Sequence, residues 1–196
     1  MNESNGYEAL IDPEGFTFRS LNQSDAWSLR FDVRGTPNAG GAWHARSECL
    51  NGDLIQHGDG IDVQYQHSIN GLRQNFIVNS RPANAGGLRI DIGYSGGLVA
   101  RRVRSGGFEF IDAQGSARAT FSDLHVWDDC GKTLTAYFVE DPYCEGHIAI
   151  AVDDADAHYP ITIDPVAATA TTSVSTTLAS AEFGRAVTSC GDLNGD

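Results

Sequence analysis

The stretch "IDVQYQHSINGLRQNFIVNS", residues 61–80, constrains the fold more than any other. Two extended runs flank Asn70-Gly71, a dipeptide favoured in type I′ hairpin turns because both residues tolerate positive φ. With that turn the register follows: Ile69 meets Leu72, Tyr65 meets Phe76 and Val63 meets Val78 on one face, while Ser68 meets Arg73 and Gln66 meets Asn75 on the other. Apolar pairs on one side and polar pairs on the other are what a half-buried antiparallel sheet requires.

The same period of two recurs in "GFTFRSL", "WSLRFDV", "LRIDI", "GFEFID", "TLTAYFV", "HIAIAV" and "ITID", each bounded by Gly, Asp, Asn or Pro turn clusters. No run of ten residues carries a helical period. With 22 glycines for the turns and 41% hydrophobic residues for a core, the pattern predicts an all-β fold, an antiparallel β-sandwich-like domain of many short strands. The turns "PNAGG" and "PANAGG" share wording, but the strands after them do not match, so they reflect turn chemistry rather than a repeat.

Charge narrows the partners. The net charge is −13, and the 13 basic residues are 12 Arg and one Lys, so no cationic stripe is available for phosphates or anionic lipid. Neither nucleic-acid binding nor membrane insertion is expected. The opening "MNESNGYEALIDPEG" lacks the basic and apolar segments of a signal peptide. The four cysteines, Cys49, Cys130, Cys144 and Cys190, include no C-x-x-C pair and leave three disulfide pairings open. Were Cys130 and Cys144 in the turns at either end of "TLTAYFV", they would lie roughly 20 Å apart, too far to bond to each other.

Composition changes after Pro165. Residues 1–165 are expected to form the β domain, and the Ala/Thr/Ser-rich residues 166–182 a linker or the outer strand of a new module. In "FGRAVTSCGDLNGD", residues 183–196, the oxygen-bearing Asp192, Asn194 and Asp196 fall on alternate positions, as the first three ligands of a calcium loop do. Phe183-Gly184, Val187 and Gly191-Asp192-x-Asn194-Gly195-Asp196 together resemble the opening of an FG-GAP repeat, the blade unit of integrin-type β-propellers. "VDDADAHYPITIDP" is similar to the end of all-β regions that precede such repeats in bacterial secreted proteins.

The resemblance implies a truncated propeller blade over 183–196, calcium as the ion of the full-length protein, and weak or absent calcium binding by this piece. It also implies an extracellular or cell-surface setting, with adhesion to, or binding of, a protein or carbohydrate ligand by the whole protein. A dockerin-like or EF-hand-like loop shares the D-x-[DN]-x-[DN] start and remains the alternative.

Four further features could carry chemistry. Gly93–Gly97, "GYSGG", matches the G-x-S-x-G elbow with Ser95 as its serine, but "LVARRVR" is too short for the helix an elbow needs, so a glycine-rich hairpin turn is expected. Asp153, Asp154 and Asp156 could form a second calcium site or an acid pair, or else a solvated turn that blunts a strand edge. Arg101, Arg102 and Arg104 read as a solvent face paired with surplus acids. Trp27, Trp43 and Trp127 could stack sugars or pack a core. No catalytic constellation is assigned; a carbohydrate-active secreted hydrolase is the rival to a non-enzymatic binding module.

Overall fold

A computed structural model describes residues 7–22, 24, 26–34, 46–68, 71–82, 87–104, 106–140 and 145–169. Among the described residues fourteen strands follow in chain order: β1 (Tyr7–Asp12), β2 (Gly15–Ser20), β3 (Ser28–Val33), β4 (Arg46–Leu50), β5 (Asp53–His57), β6 (Ile61–Ser68), β7 (Gly71–Val78), β8 (Leu88–Gly96), β9 (Val99–Arg102), β10 (Phe108–Ile111), β11 (Ala117–Asp128), β12 (Ala136–Glu140), β13 (His147–Val152) and β14 (Ile161–Thr169). All pair antiparallel in two sheets, β1-β2-β3-β8-β13-β12 and β4-β5-β6-β7-β14-β11-β10-β9. The expected all-β, sandwich-like class is therefore what the chain adopts.

Period-two alternation puts one set of side chains between the sheets. Phe16, Phe31, Phe110 and Phe121 are fully buried there. Phe31 is the hub, with ring centroids 4.9 Å from Phe16 and 5.2 Å from both Phe110 and Phe121. Tyr7 against Phe18 at 4.3 Å closes one end, and Phe138 against Phe121 at 5.7 Å the other. Each such ring buries roughly 150–250 Å² and dominates the hydrophobic stabilisation.

The hairpin at residues 61–78 keeps its predicted faces but not its predicted register. Tyr65 faces Gln74, Val63 faces Phe76, and the pairing closes at Ser68 opposite Gly71; Ile69 and Asn70 lie outside the described residues. A slip of two residues preserves the side facing the core. The cause lies in β14. Gly71 has φ 138°, and a Cβ on it would stand 2.3 Å from the carbonyl oxygen of Ala167, so this glycine serves a close strand approach and begins β7. The type I′ turn belongs instead to Asn51-Gly52, at φ 53° and 89°, joining β4 to β5 with Leu50 opposite Asp53.

The composition change at Pro165 does not interrupt the sheet. β14 runs through it to Thr169, between β7 and β11, with Val166 and Ala167 buried. A proline in a central strand has no N–H for the ladder. Here the neighbouring strand yields: β11 bulges between Ser122 and His125, setting Asp123 and Leu124 against Pro165 alone. Asp123 takes φ 56° to make the bulge.

Candidate functional site: the outer face of the eight-stranded sheet

The bulge re-aims the side chains beside it. On the outward face, β5 supplies Asp53, β6 supplies Gln64 and Gln66, β7 supplies Arg73 and Asn75, β14 supplies Asp164, and β11 supplies Asp123, His125 and Trp127. Asp53 Oδ2 accepts from Gln64 Nε2 at 2.8 Å and from Gln66 Nε2 at 2.7 Å. Asn75 Nδ2 donates to Gln64 Oε1 at 3.3 Å and Gln66 Oε1 at 3.1 Å. Arg73 Nη1 donates to Asp164 Oδ2, and Asp123 Oδ1 lies 3.2 Å from His125 Nε2.

Hydrogen bonds therefore join Asp53, Gln64, Gln66 and Asn75 across β5, β6 and β7, and separately Arg73 with Asp164 across β7 and β14, on one polar face that spans five strands. Its middle is buried and its β11 end is open: Asn75 and Asp164 are 6% and 7% exposed, the His125 side chain 65% and Trp127 36%. Burial pushes the Asp164 carboxyl above the usual range, against the pull of the Arg73 guanidinium. An exposed indole on the same sheet face as the amides and the guanidinium suits a ligand with both apolar and hydrogen-bonding surface.

Asp153, Asp154 and Asp156 do not act as a trio. Asp153 and Asp156 are exposed, whereas Asp154 is 4% exposed. Its Oδ2 accepts from Tyr159 Oη at 2.6 Å and lies 3.4 Å from Arg81 Nη1, and its Oδ1 accepts from Leu88 N at 3.3 Å. Arg81 also donates to the Asp154 carbonyl at 2.5 Å. Asp154 thus pins the chain after β13 onto the start of β8, beside a cavity of about 920 Å³. Among the described residues no three His, Cys, Asp or Glu side chains converge as a metal site. Asp192, Asn194 and Asp196 lie outside the described residues, as do Trp43, Cys144 and Cys190.

Ser95 is exposed near the end of β8. The expected hairpin turn there is instead a crossing between sheets, since β8 and β9 belong to different ones. Ser95, Glu140, Glu145 and His147 line a second cavity of about 590 Å³. Arg101 pairs with Glu109 at 2.6 Å across β9 and β10, and Arg102 and Arg104 are exposed. Trp27 packs on Phe18 at 5.6 Å on the core side, so it shares no platform with Trp127. Cys49 on β4 and Cys130 after β11 are exposed free thiols. No described helix is long and apolar enough to cross a membrane.

Sequence reading missed this face because its members come from five strands separated by up to 111 positions (164 − 53). One signal was present: "IDVQYQ" and "RQN" put planar amides on the solvent side of adjacent strands. Comparison with protein-family models, curated proteins and solved structures returns no match for the chain.

Proposed function

We propose that this chain is a non-enzymatic extracellular or cell-surface β module standing before a calcium-binding FG-GAP propeller, with adhesion or ligand binding as the activity of the whole protein. The binding part of this reading rests on the outer face of the eight-stranded sheet, where the Asp53–Gln64–Gln66–Asn75 network and the half-open Trp127 share the outward side. A broad, ordered polar face with one exposed aromatic anchor suits recognition of a protein or glycan surface. The calcium part rests on the FG-GAP likeness of residues 183–196.

Two measurements test the two parts. A chain extended past Asp196 to its natural stop is titrated with calcium while its melting temperature is followed; calcium should raise it, and no rise removes the metal claim. The protein is also applied to arrays of glycans and extracellular-matrix proteins, alone and as Trp127→Ala. Capture lost in the variant supports the face; no capture, or capture indifferent to Trp127, refutes it.

A carbohydrate-active hydrolase is the second reading, favoured by one observation. Glu140 and Glu145 line the same 590 Å³ cavity as His147, and paired carboxylates are the machinery of glycoside hydrolysis. Turnover of chromogenic glycosides that disappears in both Glu140→Gln and Glu145→Gln would establish it over the binding module.

A further inference from the structure

The direction of the hydrogen-bond chain on the outer face is fixed from one end. An ionised Asp53 can only accept, so both glutamine amides turn their Nε2 towards it and their Oε1 away. Those two oxygens take donors from Asn75 Nδ2 at 3.3 Å and 3.1 Å. Both amide hydrogens of Asn75 thereby point to β6, and its Oδ1 is turned towards β14.

What stands there is a carboxyl group. The pairs Phe76 with Ile163 and Arg73 with Val166 put Asn75 directly opposite Asp164, where facing Cβ atoms lie roughly 4.5–5.5 Å apart. Asp164 turns Oδ2 to Arg73. Its Oδ1 and Asn75 Oδ1 are both buried and accept no hydrogen bond from a described residue. Two lone-pair oxygens buried on directly paired residues are left unsatisfied, unless one of them carries hydrogen.

We infer that Asp164 holds a proton on Oδ1 and donates it to Asn75 Oδ1, making the outer face a proton-binding site that loosens when the proton leaves. One hydrogen satisfies both orphan oxygens, and Oδ2 still accepts from Arg73. The groups facing Asp164 are Arg73 and Asn75 from β7 and His125 and Asp123 from β11. Arg73 and His125 oppose protonation, whereas burial and Asp123 favour it, burial most strongly. The chain then runs without a break from Arg73 through Asp164, Asn75 and the two glutamines to Asp53. The inference is independent of what the face binds.

Two experiments decide it. Carbon-13 NMR of the Asp164 carboxyl in the unmodified protein should show a titration midpoint above the ordinary aspartate value; a midpoint at or below that value overturns the proposal. Asp164→Asn supplies an N–H where the acid supplies O–H. Its melting temperature should match or exceed the wild type above that midpoint, and it should lack the wild type's loss of stability through it. A variant less stable than the wild type throughout pH 4–8 would mean that an ionised Asp164–Arg73 pair holds the site, and would equally sink the proposal.

Discussion

Pro165 in β14 stands opposite both Asp123 and Leu124 of β11, two residues against one. The missing proline N–H and the bulge are one event, and its cost is borne by Asp123, a non-glycine residue at φ 56°. Left-handed backbone costs an L-residue roughly 1–2 kcal/mol, least for Asn and Asp. Asp123→Val should therefore lose about 1–2 kcal/mol in urea unfolding, while Asp123→Gly should change stability by less than about 1 kcal/mol, the lost exposed ion pair being worth little. Equal losses in both variants would show that the carboxylate matters rather than the backbone.

Gly71 and Gly52 both follow an asparagine but answer to different constraints. A Cβ at Gly71 meets the Ala167 carbonyl at 2.3 Å, whereas one at Gly52 meets nothing within 4 Å. Gly71→Ala should cost about 2–4 kcal/mol from strain and overpacking, and Gly52→Ala about 1 kcal/mol from its positive φ alone. Thermal melts of the two variants give the comparison directly.

Asp154 should prove the one structurally costly acid of its cluster. Its removal leaves the Tyr159 hydroxyl, the Leu88 N–H and the Arg81 guanidinium short of an acceptor, so Asp154→Ala is expected to lose about 2–4 kcal/mol. Asp153→Ala and Asp156→Ala, at exposed positions, should each stay within about 0.5 kcal/mol. Calcium-dependent stabilisation of this chain, removed by either of the latter two changes, would instead reveal an ion site there.

Acid should destabilise the protein below the ordinary aspartate range. Arg30 holds Asp12 below its usual value, and backbone N–H donors, that of Ser116 for Asp112 and that of His158 for Asp128, do the same. Folded pKa values below the unfolded ones mean stability that is present above pH 3.8 and is lost as pH falls through the lowered values. His57 works in the opposite sense. Glu48 and Asp62 raise its pKa above 6.5, so its contribution is complete below that pH and disappears as pH rises through the raised value. The side chain is 40% exposed, which limits the effect to under about 1 kcal/mol. Melting temperatures of the wild type and His57→Gln between pH 5.5 and 8.5 should converge at the alkaline end.

Strands with clean alternation were legible. "GFTFRSL", "HIAIAV" and "ITID" became β2, β13 and the start of β14, because one face is buried and the other wet. The longest strand, β11, escaped because its bulge changes phase: Ala119 and Phe121 face the core before it, Val126 after it. β4 carried no pattern at all, since all five of its residues are exposed. Of the candidate site, only the amides in residues 61–80 could be placed on a common outward side from sequence.

The sequence by itself determined the fold class, the faces of the hairpin at residues 61–78 and the acidic character, because side-chain period and charge are local properties. Tertiary structure decided the register, the owner of the type I′ turn, the fate of Pro165 and the meeting of Asn75 with Asp164. Each of those depends on a neighbouring strand distant in sequence: Ala167 against Gly71, β11 against Pro165, β7 against β14. A period of two specifies which way a side chain points, and only the partner strand specifies what it meets.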